Sequence, residues 1–148
     1  MAATAFLALA DRIVAALAPV ASGAGGVALR GRHQPLPAAH SMGIRVNSLR
    51  HALQPLDLSG RAMACTSSVL VTLLVRAAPG VDAEAALDPH LGAFWAALAA
   101  VVPAAGLAEA NAATVITLDL DETDHTVAVA STVVTVTHHV AGATLAAL

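Results

Sequence analysis

The sequence predicts an α+β domain with a mainly antiparallel sheet of four to five strands and two helices packed on one face. Hydrophobic residues make up 57% of the 148 residues and charged residues only 11%, which suits one hydrophobic core. Two segments have the apolar spacing of amphipathic helices, and the others are short or alternate as strands do. Because no repeat or linker interrupts this pattern, we expect residues 1–148 to form a single domain.

The first half of the chain predicts one helix and two short strands. The helix is indicated by apolar residues that recur every three to four positions: Phe6, Leu9, Ile13 and Leu17. Pro19 and the glycine-rich run at 22–26 should end it. Residues 27–32 and 43–47 then have the composition of short strands, and residues 49–61 predict an irregular excursion.

The second half predicts a long strand, a helix and a hairpin. Residues 63–76 alternate as a half-buried strand does. A helix should begin at Asp88-Pro89, where Asp caps free N–H groups and Pro suits the first turn, after a turn that Asp82 could cap. Residues 114–120 and 126–138 predict the hairpin, with a bulge near Ser131 because the apolar parity shifts there. Residues 140–148 either dock or extend as an arm.

The helix should pack its apolar face on the long strand. We expect Leu91, Trp95 and Leu98 to contact a row of strand residues, namely Val69, Val71 and Leu73. Two apolar stretches have the composition of a signal peptide or a membrane-spanning helix. Charged residues interrupt the first, residues 1–26, and Pro103 breaks the second, residues 91–108. We therefore expect packed helices and no membrane partner.

The residues give no indication of catalysis, so we expect no enzyme, no cofactor and no metal. The carboxylates of residues 119–124 could hold a hard cation, but a solvated acidic hairpin is favoured because the EF-hand glycine and distant glutamate are missing. His138 and His139 are adjacent on a strand and point to opposite faces, which does not suit chelation. The single Cys65 excludes a disulfide framework and is expected to be inert core.

The charges are divided between the two halves of the chain. Residues 1–76 carry all seven arginines and two acidic residues, a net charge of +5, whereas residues 77–148 carry eight acidic residues and no basic one, a net charge of −8. One explanation is that unlike charges accumulated in the two halves by random drift, because the sequence has few charges. The other is that the two halves form oppositely charged flanks of one subunit, so that identical copies meet head to tail and close into a ring. The candidates are Arg30, Arg32, Arg45 and Arg50 for the basic flank, and Asp119, Asp121, Glu122 and Asp124 for the acidic one.

Five segments occur in a familiar order. They are the strand Val27-Ala-Leu-Arg-Gly-Arg32 after an N-terminal helix, the loop Leu36-Pro37-Ala38, a long strand ending Val75-Arg76-Ala77, a helix after Asp82-Ala83-Glu84, and a hairpin from about Thr114 to His138. In order, length and composition the chain resembles the tail terminator proteins of long-tailed bacteriophages and the related proteins of phage-like gene transfer particles. The resemblance spans nearly the whole chain and includes no single sharp motif.

The resemblance implies a structural virion protein without catalytic residues. Such a protein forms a hexameric ring on the head-proximal end of the tail tube, assembled in the host bacterial cytoplasm. The ring ends tube polymerisation, contacts the tail tube protein and a head-completion (stopper) protein, and lets the genome pass through its lumen without sequence-specific contact. The alternatives are another head–tail joining or tail tube protein, and a small-molecule binding domain.

Overall fold

Two helices and six strands make up the part of the chain that the computed structural model describes, residues 3–31, 34–105, 109–111, 115–122 and 124–148. In chain order they are α1 (Ala5–Gly23), β1 (Val27–Arg30), β2 (Met42–Pro55), β3 (Ala62–Arg76), α2 (Ala83–Ala105), β4 (Glu109–Asn111), β5 (Thr117–Leu120) and β6 (Val127–Ala141). The predicted α+β class is confirmed, with a mostly antiparallel sheet and both helices packed against it.

The sheet is organised around β3. Its strands lie in the order β1-β2-β3-β6, and both β4 and β5 pair with the far side of β6. β3 pairs antiparallel with β6 from Ala62 opposite Ala141 to Arg76 opposite Val127, and with β2 from Met63 opposite Pro55 to Val75 opposite Met42. β1 pairs with β2 in the parallel sense. β3 is therefore hydrogen-bonded along both of its edges.

The helices cover one face of this sheet, called here the helix face. Alternate residues of the long strands point to this face and are fully buried, among them Ile44, Leu73 and Ala130, which lie side by side across three strands. From α1, Ile13 and Leu17 are also fully buried in the same core. α1 is long and apolar enough to cross a membrane by length and composition, yet in this fold its apolar face packs on the sheet.

The opposite face, called here the outer face, is partly covered by the loop of residues 34–41. Leu36 packs there with Leu74, Val127 and Val129. The loop can approach closely because residue 43 is glycine: a Cβ at that position would lie 2.7 Å from Cδ1 of Leu36.

Arg76 fixes this loop from the end of β3. Its guanidinium donates hydrogen bonds to the main-chain oxygens of His40 (2.7 Å), Leu36 (3.0 Å) and Pro37 (3.2 Å). The Arg76 Nε also lies 3.7 Å from a carboxylate oxygen of Asp124. Arg76 thus joins the loop, β3 and the turn before β6, so its role is to stabilise the fold.

The largest difference from the sequence-based expectation is β2. Residues 49–61 do not form an irregular excursion, because β2 continues to Pro55 and makes a hairpin with β3. The register shifts between Ser48 and Arg50, so Leu49 is an extra residue in the strand. That bulge interrupts the alternation of apolar and polar residues, so the pattern did not predict this part of the strand.

The predicted bulge near Ser131 is wrong. β6 pairs with β3 in unbroken register through Thr72 opposite Ser131. The apolar parity changes for another reason, since Val127 and Val129 lie under the loop on the outer face, whereas Val134 and Val136 lie in the core on the helix face.

Several element ends differ from the predicted ones. α1 continues past Pro19 to Gly23. α2 begins at Ala83 and not at Asp88, because the Asp82 carboxylate accepts a hydrogen bond from the Ala85 N–H at 3.0 Å and caps the helix. The chain end docks: the Ala5 N–H donates to the Leu145 carbonyl at 2.8 Å.

Phe94, and not Trp95, occupies the centre of the α2 contact. Phe94 is fully buried in the core, Leu98 is buried, and Leu91 and Trp95 are only partly buried at its margin. The predicted packing of α2 on the strand residues is present, but Phe94 is buried more deeply in it than the predicted Trp95.

We expect Phe94→Ala to lower the free energy of unfolding by about 3–5 kcal/mol, the usual cost of deleting a large buried side chain. Trp95→Ala is the matched control and should cost clearly less, because its ring is already partly in water. Chemical denaturation of both variants measures the difference, and an equal or larger loss for Trp95→Ala would contradict this packing.

Candidate functional site

The four candidate basic residues do not form one patch. Arg30 ends β1 and forms an ion pair with Asp11 of α1, with 2.9 Å between the charged atoms. Arg45 lies on the outer face and donates to the Gln34 carbonyl at 3.1 Å. Arg50 is exposed on β2. Arg32 lies outside the described residues.

The four candidate acidic residues lie close together at the other side of the sheet. Asp119 is exposed on β5, Asp121 and Glu122 follow it, and Asp124 lies in the turn before β6. The Thr126 hydroxyl donates to Asp124 at 2.6 Å, and this hydrogen bond is the main reason that the pKa of Asp124 is lowered. Asp124 also faces Arg76, so part of its charge is already matched within the chain.

A groove on the outer face brings both signs together. It encloses about 760 Å³, and Arg45 and Asn47 line it from β2 while Asp119, Asp121 and Glu122 line it from the acidic side. Within the described residues, Arg45 Nε and Asn47 Nδ2 are buried without a hydrogen-bond partner. The groove therefore offers donors opposite carboxylates, which is the polar convergence that a small-molecule site would use.

Two strand edges are open. β1 pairs with β2 only as far as Val46, and beyond it the described residues place no strand against the outward side of β2. Residues 49–55, called here the β2 edge, are exposed apart from half-buried His51. All four residues of β5 are exposed as well, and β5 pairs with β6 alone in the described part. Residues 115–120 are called here the β5 edge.

A partly buried polar cluster that the sequence did not reveal lies on the helix face, between the β2–β3 hairpin and β6. The Ser67 hydroxyl lies 2.8 Å from His51 Nδ1 and 2.8 Å from His138 Nε2, and 3.4 Å from the Cys65 sulfur. Phe6 of α1 stacks on His51 with 3.9 Å between ring centroids. These residues join the N-terminal part of α1 to three strands.

The Ser67 hydroxyl carries one proton and can donate to only one of the two imidazoles. The other imidazole must then donate its own N–H to the Ser67 oxygen. Two neutral histidines satisfy this arrangement. Two protonated ones would place two positive charges around one oxygen. Burial lowers the pKa of His51 and of His138, and for His138 the neighbouring His51 lowers the pKa further.

Sequence reasoning missed this cluster for a simple reason. Ser67 and His138 are 71 residues apart, and only the register of β3 with β6 brings them together.

No three side chains of His, Cys, Asp or Glu in the described part of the chain are arranged to hold a metal ion. No protein-family model matches the chain, and no curated protein matches its sequence.

Acidification should destabilise the fold through this cluster. The pKa of both histidines is lower in the folded chain than the ordinary 6.5, so the unfolded chain takes up protons first as the pH falls. The stability is complete above about pH 6.5 and is lost as the pH falls through the lowered values.

We therefore expect the melting temperature to fall between pH 7.5 and pH 5.5, and to fall less in the double variant His51→Gln/His138→Gln. His125→Gln, at an exposed position in the turn before β6, should keep the wild-type pH dependence. If the double variant loses as much stability on acidification as the wild type does, the cluster is not the cause.

Proposed function

We propose that this chain is a structural virion protein that forms a hexameric ring on the head-proximal end of a tail tube, as the resemblance to tail terminator proteins implies. In this role the ring ends tube polymerisation and offers its other side to a head-completion protein. The genome passes through the lumen without sequence-specific contact. The protein acts by shape and contact and not as an enzyme, and it is assembled in the bacterial cytoplasm and retained in the virion.

The observation that carries the proposal is the placement of charge across the sheet. Exposed Arg50 lies on β2 at one side of β3, and the strand and turn that bear Asp119, Asp121 and Glu122 lie at the other. Arg30 is paired with Asp11, and Arg45 lines the groove beside the carboxylates. A subunit with unlike charges on two sides can contact identical copies head to tail, and a head-to-tail contact closes into a ring when its rotation fits.

The apolar surface supports self-assembly as well. Several large apolar side chains are exposed, most of them at the two open edges or at the hairpin tip: Leu49, Leu53, Leu56, Leu58, Val115, Leu118 and Leu120. Exposed apolar clusters of this kind mark contact surfaces. Exposed ion pairs contribute only about 0–1 kcal/mol each, so we expect apolar contact to supply most of the affinity and charge to set the register.

A tail tube subunit is the second candidate, and one observation favours it. Tube subunits need a long segment that reaches a neighbouring subunit. The β2–β3 hairpin has that form, with a tip at which Leu58 is fully exposed. A tube protein stacks ring upon ring, whereas a terminator occupies one end only, so the position of the chain along the tube separates the two functions.

Labelled chain added to growing tubes of the tail tube protein from the same genome tests the proposal. We expect label at one end of each tube and an arrest of elongation, because the ring covers the surface to which the next subunits would bind. Electron microscopy of the labelled tubes gives both results. Label along the whole tube would favour the tube protein, and no label on any tube would contradict both functions.

A further inference from the structure

The β2 edge and the β5 edge face away from each other across the sheet. The strand order places β2 on one side of β3, and places β6 with its partner β5 on the other. The open sides of β2 and β5 are therefore opposite ends of the same layer. An open strand edge presents unpaired N–H and C=O groups, which another strand can pair with. One copy carries two such edges, so a second copy could extend the sheet from either.

The side chains of the two edges match face by face. The cross-strand register places Arg50 on the outer face, opposite Ser68 and Thr135, and places Asp119 on the same face, opposite Val129. On the helix face, Leu53 of the β2 edge corresponds to Leu118 and Leu120 of the β5 edge. In a sheet continued across two copies, Arg50 would thus meet Asp119 on one face, while on the other face Leu53 would lie opposite Ile116 and diagonal to Leu118.

The surroundings of the edges have opposite charge. Arg50 is the charged residue of the β2 edge. The β5 edge is flanked by carboxylates on both faces, since Asp119, Asp121 and Glu122 line the outer-face groove and a hollow beside Leu118 is lined by three acidic residues near the start of α2: Asp82, Glu84 and Asp88. Two copies of the β2 edge would bring like charges together, and so would two copies of the β5 edge. One edge of each kind is the favourable pair.

Strand direction favours the same pairing. β2 and β6 both run antiparallel to β3, and β5 runs antiparallel to β6, so β5 runs antiparallel to β2 within one copy. The registers set β5 level with residues 42–45 of β2 and not with residues 49–55, so the pairing requires strands that are inclined to the ring axis, as they are in closed barrels. A rotation about that axis keeps the relative sense of the strands. The β5 of the next copy would therefore meet β2 as an antiparallel neighbour, which is the more stable ladder, and the sheets would surround a central opening.

A hollow beside β2 adds contact surface to the β2 edge. Where β1 ends, a hollow of about 330 Å³ lies beside β2, lined by α1 and by Gly31, Ser48 and His51. Its lining extends from Arg30 at the end of β1 to His51 of the β2 edge. Leu7 of α1 also lines it and is exposed, so the hollow offers apolar contact to an incoming strand.

We propose that copies of this chain join by strand pairing between the β2 edge of one copy and the β5 edge of the next, giving a sheet that continues from subunit to subunit. This inference rests on the ring of the proposed function and names its subunit contact. It predicts that Arg50 of one copy lies beside Asp119 of the next. Arg30 and Asp124 are already paired within the chain and take no necessary part in it.

Cross-linking of variants with one added cysteine tests the contact. Ala52→Cys and Thr117→Cys place thiols on the outer face of the two edges, at exposed positions, and Cys65 stays in place because it is buried. A short bis-maleimide is added to each concentrated variant alone and to their mixture. Ala96→Cys, exposed on α2, is the matched control away from both edges, and the wild type measures any reaction of Cys65.

We expect dimers cross-linked in the mixture of the two edge variants and not in either variant alone, nor with the control. Dimers within one edge variant would show symmetric pairing of like edges and overturn the proposal. A mixture that cross-links no more than the control does would also overturn it. Melting temperatures near the wild-type value establish that each variant is folded, and Asp119→Cys replaces Thr117→Cys if that variant is not.

A charge exchange separates the role of the ion pair from that of the strands. Arg50→Glu should lower the cross-linked yield in the mixture by up to about fivefold, the scale of one exposed ion pair, and Asp119→Arg in the partner should restore it. A yield that falls further with the second change would place the two residues apart and contradict the pairing.

The proposed function and the strand contact can fail separately. If the mixed cross-link forms but the chain does not occupy the tube end, the contact stands and the terminator function is wrong. If the chain caps tubes but the mixture gives no cross-link above the control, the ring is built through another surface.

Discussion

The pairing of β3 along its whole length is the constraint on which the rest of the structure depends. β3 is bonded to β6 over its fifteen residues and to β2 over nearly as many, and it carries no charge before Arg76. Because the ladder fixes the register, it also decides which residues share a face. The helix-face core, the loop under Arg76 and the His51–Ser67–His138 cluster all follow from that register.

A central strand of this kind has a consequence at the periphery. β1 pairs with only part of β2, and β5 and β4 pair with only parts of β6, so among the described residues the sheet has an unpaired strand side at both ends. Natural sheets usually protect such edges with charge, proline or a covering element. Here the β2 edge carries Arg50 with leucines and the β5 edge carries Asp119 with leucines. These charges disfavour pairing of two like edges and favour pairing of one edge of each kind.

The sequence was sufficient for elements whose pattern is local. Alternation predicted β3, apolar spacing predicted both helices, and the fold class followed from their order. It was insufficient where a long-range contact decides. Leu49 interrupts the alternation of β2, Val129 is buried only because a distant loop covers it, and Phe94 rather than Trp95 faces the sheet because of the rotation of α2. The histidine cluster depends on strand register alone. The sequence predicted the sign of the candidate charged residues, but not that Arg30 and Asp124 form ion pairs within the chain.

We infer that one sheet continues from copy to copy around a ring. Electron cryomicroscopy of the chain assembled on a tube end measures this most directly, because strand connectivity across the subunit boundary is visible in the density. The account predicts main-chain pairing between residues 49–55 of one copy and 115–120 of the next, in the antiparallel sense. A boundary formed by α1 and α2, with both strand edges left open to solvent, would contradict it.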